Sequence, residues 1–172
     1  MKLITTGGVP ILDSEPVVFL GPWCENQEIA CAGSWQFDGY ATPDKRADLE
    51  RLSREISESI FPDLASALNE LHGQDIPNEF WSRTIKLWLE IFTDVVYQRW
   101  NCITEAISTA SFTSAAKVTT RRSQLTPKTR LEIQRIINSH EWNHLIFGEI
   151  LDFLEFPQEE PEPGEFVNHS NH

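Results

Sequence analysis

Apolar residues fall along this chain in two rhythms. Near the start they form short unbroken runs: Lys2-Leu3-Ile4-Thr5-Thr6 closes at Gly7-Gly8, and Pro16-Val17-Val18-Phe19-Leu20 closes at Gly21-Pro22. A short run without polar alternation is the pattern of a strand covered on both faces in a parallel sheet, and a Gly-Pro pair ends it. Further on, apolar positions recur every three or four residues, the spacing of one helix face. Leu49, Leu52, Ile56 and Ile60 begin such a stripe. Pro62 suits the first turn of a continuing helix, with Ser59 as a cap upstream, and Leu64, Leu68 and Leu71 carry the stripe to His72-Gly73, where the glycine is a stop.

The longest stripe starts after Asn78, a candidate cap. It runs through Trp81, Ile85, Trp88, Phe92, Val95, Trp100, Ile103 and Ile107, and Leu89, Val96 and Tyr97 widen it. A helix apolar over so much of its girth is expected to be central and covered on several sides. Residues 108–127, rich in Ser, Thr and Ala, predict a polar connector. Thr126-Pro127 then opens a helix bearing Leu131, Ile133, Ile136 and Ile137, and a last helix runs from about Glu141 to Leu154. After Phe156 the chain reads Pro-Gln-Glu-Glu-Pro-Glu-Pro-Gly, which has too little apolar surface to fold. The expected architecture is therefore α/β and predominantly helical, with two short N-terminal parallel-type strands followed by four to five amphipathic helices. Residues 1–156 form the domain, and 157–172 form a disordered acidic tail rich in Pro and Glu.

Composition narrows the function classes. With 14 basic and 26 acidic residues the net charge is -12, which opposes binding to a nucleic-acid backbone. Cys24, Cys31 and Cys102 are an odd set without metal-type clustering, as expected of reduced thiols in a cytoplasmic protein. The first 16 residues lack the apolar core of a signal peptide, and no apolar run approaches the length of about 20 residues that spans a bilayer.

Several segments carry candidate chemistry. His140-Glu141-Trp142-Asn143-His144 is an H-E-x-x-H sequence: on a helix His140 and His144 share a face and can hold zinc, with Glu141 as the base. That arrangement would make the protein a zinc-dependent hydrolase. The extended H-x-x-G-x-x-H pattern is absent, since Gly148 comes one place late. The turn Phe19-Leu20-Gly21-Pro22-Trp23-Cys24 follows a strand, where ligands of α/β sheets collect. Cys24 as a nucleophile would need a nearby base or positive charge, whereas a buried Cys needs neither. Lys117, Arg121, Arg122, Lys128, Arg130 and Arg135 gather six of the basic residues, a patch that suits a diphosphate or simply a solvated connector.

Taken in order, these segments resemble one family. Leu3-Ile4-Thr5-Thr6 and Val17-Val18-Phe19-Leu20-Gly21-Pro22-Trp23-Cys24 are similar to the first strand and L-G-x-W-C turn of the O-antigen and surface-carbohydrate (lipopolysaccharide-biosynthesis type) transferases. Leu68-Asn69-Glu70-Leu71-His72 resembles their L-N-x-x-H helix end. Phe80-Trp81 through Trp88 to Tyr97-Gln98-Arg99-Trp100 resembles their aromatic central helix, and Glu141-Trp142-Asn143-His144 a W-N helix start. Relatives carry Asp before that Glu, which makes the H-E-x-x-H spacing coincidental and leaves no metal site.

The resemblance spans about residues 1–155. It implies the N-terminal part of a two-domain glycosyltransferase-like fold, in which the nucleotide-sugar sits mainly on the C-terminal domain and the acceptor on the N-terminal one. Family members are several times longer than 172 residues. The chain is accordingly expected to act on the acceptor side, or with a separate C-terminal transferase subunit. A non-catalytic interaction module docking on a longer transferase subunit is the alternative. The ligand implied is a carbohydrate or nucleotide-sugar, with no cofactor. The substrate-binding residues implied are Gly21, Pro22, Trp23, Cys24, His72 and Asn143.

Overall fold

The computed structural model describes residues 1–7, 17–21, 24, 42–117 and 129–159. Its elements in chain order are β1 (Lys2–Ile4), β2 (Val17–Phe19), α1 (Pro43–His72), α2 (Asn78–Thr109), β3 (Ser114–Ala116), α3 (Arg130–Ile136), α4 (His140–Phe153) and β4 (Gln158–Glu159). The α/β, mainly helical expectation holds, and both N-terminal runs are strands. The chain divides into two compact units, one comprising residues 1–38 and 99–172 and the other residues 39–98.

The first unit is built on a four-stranded sheet of order β2-β1-β3-β4, parallel throughout. Lys2 pairs with Val17 on one side and with Ser114 on the other, and Ala115 pairs with Gln158. Leu3 and Ile4 are neighbours on opposite faces of β1, and both are buried, so the sheet is covered on both sides. Cys102, Ile103 and Ala106 from the end of α2 and Phe147, Ile150 and Leu151 from α4 pack with the strands in one core. Trp100 meets Phe153 edge-on at 5.6 Å.

Two strands fall where no strand is expected from the sequence. β3 lies inside the stretch 108–127 read as a polar connector, and its Ser114, Ala115 and Ala116 are all buried. Small side chains give a strand no apolar signature, yet they suit one packed closely between layers. β4 lies two residues past Phe156, where the composition suggests a structureless tail: Ala115 N–H donates to Pro157 C=O and Lys117 N–H to Glu159 C=O. Backbone pairing, which is blind to side-chain polarity, carries the sheet to Glu159. Residues 160–172 of the expected tail lie outside the described residues, as do the expected helix start at Thr126-Pro127 and the basic residues Arg121, Arg122 and Lys128.

α3 starts at Arg130, with Thr129 Oγ1 accepting from Glu132 N–H. Ser139 caps α4 by accepting from Trp142 N–H at 3.2 Å. At the far end of α4 Glu155 takes the left-handed conformation, φ +52°, while its N–H reaches Asp152 C=O and Phe156 N–H reaches Leu151 C=O. This is the 6→1 and 5→2 closure of a Schellman motif.

The second unit is helical, and it departs from the expected stripe. α1 is a single helix of 30 residues capped by Thr42, with Pro43 in its first turn and Pro62 in its interior. Ser59 does not cap a second helix, because its hydroxyl donates to Ile56 C=O at 2.8 Å. Small residues lie innermost on α1: Ser53, Ser57 and Ala65 are buried, whereas Ile56 and Ile60 are exposed. Ser53 Oγ donates to Asp94 Oδ1 of α2 at 3.2 Å. The buried hydroxyls of Ser57 and Thr93 have no hydrogen-bond partner.

The turn between the helices is tied by one residue. Asn69 Oδ1 accepts from Ile76 N–H and from Trp81 Nε1–H, and its Nδ2 donates to Ile76 C=O. Gly73, at φ +62°, supplies the left-handed residue that closes α1. α2 begins at Asn78 itself, where Asn78 was expected as a cap. Among the described residues, no helix is long and apolar enough to cross a membrane.

Candidate functional site

The strand order decides where a ligand would sit. From β1 the chain passes to β2 on one side, and β3 then returns to the other side of β1. In parallel sheets this reversal leaves a crevice outside the carboxyl ends of the two central strands, because the connections leave in opposite directions. Here that point lies between β1 and β3, beyond Ile4 and Ala116.

Thr5 and Thr6 follow β1 directly and are both buried. Thr6 Oγ1 lies 3.0 Å from Nδ1 of His144, one turn into α4, so strand end and helix are joined by a hydrogen bond inside the protein. On the β2 side, Leu20 N–H extends the ladder by donating to Ile4 C=O at 2.9 Å. Cys24 N–H donates to Gly21 C=O, and the Cys24 thiol donates to the same Ile4 carbonyl at 3.3 Å. Cys24 is thus a buried, bonded thiol whose observed part is to hold the turn against β1.

α2 and α4 wall this end of the sheet. Cys102 Sγ lies 4.0 Å from Leu20 C=O. Burial pushes the Cys102 thiol up to about 12, with Glu105 and Cys24 acting the same way and the positive charge of Arg99 opposing them. One turn earlier on α2, Arg99 Nε donates to Asn143 Oδ1 at 2.9 Å. The Asn143 amide also donates to Ile137 C=O at 2.9 Å and Ser139 C=O at 2.8 Å. Its oxygen and both of its hydrogens are therefore engaged: it locks the α3–α4 corner and fixes the guanidinium.

Lys117 directly follows β3, and its ammonium lies 3.6 Å from Asp152. Glu159 is held below the usual carboxylate range by the Ser114 hydroxyl and by the Lys2 ammonium, which is 3.1 Å away.

The residues singled out by sequence are thus sorted. Gly21, Cys24 and Asn143 all belong to the first unit, at the carboxyl end of its sheet. Pro22 and Trp23 lie outside the described residues. His72 belongs to the other unit, stacked on Trp81 at 6.0 Å beside the Asn69 clamp. The paired histidines of the H-E-x-x-H sequence have different surroundings: His140 and Glu141 are exposed, whereas His144 is buried against Thr6. Among the described residues, no group of three or more His, Cys, Asp or Glu is placed to hold a metal ion.

Thr6 and Arg99 are the residues that spacing did not single out. Each leaves a faint mark in the sequence. Thr5-Thr6 puts two hydroxyls directly after an apolar strand, and Arg99 is a cation set between Gln98 and Trp100 in the apolar second half of the aromatic helix, well after Arg83 and Lys86. Hydroxyls and an imidazole can both donate and accept, and a guanidinium only donates.

No curated protein and no solved structure matches the chain. A family model does match, over residues 1–171, and on that extent the chain belongs to the LIC12162 family of transferases.

Proposed function

We propose that this chain is the acceptor-side part of a transferase in surface-polysaccharide synthesis, working in the cytoplasm. The crevice beyond β1 and β3 receives a carbohydrate, and the activated sugar is held on a separate lobe or partner subunit. The observation that supports this reading is the reversal of strand order between β1 and β3, with Thr6, joined to His144 by a buried hydrogen bond, directly beyond the end of β1. Open parallel sheets bind their ligands at such a point. Membership of a transferase family supplies the reaction class, and the resemblance of the L-G-x-W-C turn and W-N helix start supplies the carbohydrate.

The test is an amide NMR titration of the purified chain with a panel of free and phosphorylated monosaccharides. The expected result is saturable shifts at Thr5, Thr6, Leu20, Gly21 and His144, weakened by Thr6→Val. Saturable shifts confined to other parts of the chain would overturn the site. Transfer of a sugar from a nucleotide carrier by the purified chain alone would overturn the dependence on a second lobe.

A further inference from the structure

α1 has a second apolar face besides the one it buries. Its inner side is the small-residue one, where Ser53, Ser57 and Ala65 are buried. About a quarter turn round the helix, Leu49, Leu52, Ile56, Ile60, Ala67 and Leu71 fall within an arc of about 100°. Leu49 and Leu52 are half-buried, but Ile56 is 38% exposed, Ile60 41% and Leu71 77%. Single exposed apolar residues are ordinary; a strip of them along one helix marks a surface that meets something.

Two features of the strip indicate its partner. The first is symmetry. Ile56 and Ile60 straddle the midpoint of the 30-residue helix. An antiparallel copy of α1 centred there sets Ile56 of each chain against Ile60 of the other and runs the length of both helices. The second is charge. Lys45, Arg46, Arg51 and Arg54 all lie in the first half of α1, whereas the second half has Glu58, Asp63 and Glu70 and no Lys or Arg. Asp63 and Glu70 share the arc of the strip, so a parallel copy would bring each against its own double, and like charges so placed are costly. An antiparallel copy instead sets Asp63 level with Ser53 and Glu70 level with Arg46, acidic half against the half with cations. We propose that this strip is a self-association surface, on which a second copy of the chain docks α1 against α1, antiparallel, about a two-fold axis near Glu58. In such an isologous contact every favourable pair occurs twice, so that a narrow strip with few large residues suffices.

The test uses the full chain. Sedimentation velocity from low micromolar to near-millimolar concentration should show a reversible monomer–dimer equilibrium. Ile56→Glu puts a carboxylate at the centre of the contact twice over and should weaken association about tenfold or more. Its fold and its stability in dilute solution should stay at wild type, because the position is exposed. In a sample mixing copies with different methyl labels, NOEs between copies should join Ile56 to Ile60. A chain that stays monomeric at every concentration overturns the proposal and leaves the strip to another partner. A dimer untouched by Ile56→Glu overturns it too, since a different surface then makes the contact. NOEs joining Ile56 to Ile56 and Ile60 to Ile60 overturn the antiparallel pairing. Should Ile56→Glu fail to fold, the wild-type NOEs decide the matter.

Discussion

The two units of this chain hide their apolar residues to different degrees. In the sheet unit, three-residue strands and two helices share a core in which Leu3, Leu20 and Ile103 have no exposed surface. In the helical unit, α1 runs for 30 residues and buries only Ser53, Ser57 and Ala65, while Ile56, Ile60, Leu87 and Phe80 are exposed. Length of regular structure is therefore a poor guide to where stability lies. Tertiary burial, rather than helix propensity, holds most helices in place. The short-stranded unit has that burial, and it is also the one that carries the candidate site.

The sharpest way to break the contrast is to cut the same kind of group from each side. Phe147→Ala, in the core of the sheet unit, is expected to cost about 3–5 kcal/mol in denaturant unfolding. Ile60→Ala, on the exposed side of α1, is expected to change stability by no more than about 0.5 kcal/mol. Similar losses from both would mean that the helical unit has a core of its own at Ile60.

A smaller effect is expected from alkali. Folding holds Cys102 as a protonated thiol up to about pH 12, whereas an unfolded chain releases that proton near the ordinary thiol value. The contribution of Cys102 is thus whole below about pH 9 and is lost as pH rises toward 12, at up to about 1.4 kcal/mol per pH unit. Thermal melts across that window should decline less steeply in Cys102→Ala. Equal slopes in the two proteins would show that burial does not govern this thiol.

The smallest test compares two helix ends of the same geometry, one in each unit. Gly73 and Glu155 both take the left-handed conformation at the close of a helix. Only glycine does so without steric penalty, and no atom lies within 4 Å of where a Cβ would stand on Gly73. Gly73→Ala should therefore cost about 1 kcal/mol by backbone strain alone, and Glu155→Gly should stabilise by a similar amount. Calorimetric melts of the two variants should move in opposite directions.

What could be read from the sequence followed from side chains that report their surroundings. The runs before Gly7 and Gly21 were legible as strands because both faces are apolar. The Leu68–Gly73 helix end was legible because glycine marks a left-handed residue. β3 was not, because Ser-Ala-Ala has neither bulk nor alternation, and β4 was not, because its pairing is purely between backbones. In α1 the leucine and isoleucine stripe pointed to one buried face, but the helix carries its smallest residues innermost, leaving Ile56 and Ile60 outside. The strand-end location of Gly21 and Cys24 followed the sequence reading, whereas the buried, fully bonded place of Asn143 at the α3–α4 corner had no mark in the local pattern. The joining of Thr6 to His144 and of Arg99 to Asn143 depends on contacts between residues 138 and 44 positions apart, which no local pattern encodes.

The sheet also sets a timetable for synthesis. Met1 and Thr113, bonded to each other at the start of β1 and β3, are 112 residues apart in the chain. When the first strand leaves the ribosome, its central neighbour has not been made, and the whole helical unit must be translated before the two can meet. Partners so distant in sequence pair slowly, because the intervening chain must surrender its freedom first. The β1–β3 pairing at the centre of the sheet is consequently among the last features of the newborn protein to form, and until then one edge of β1 has no partner.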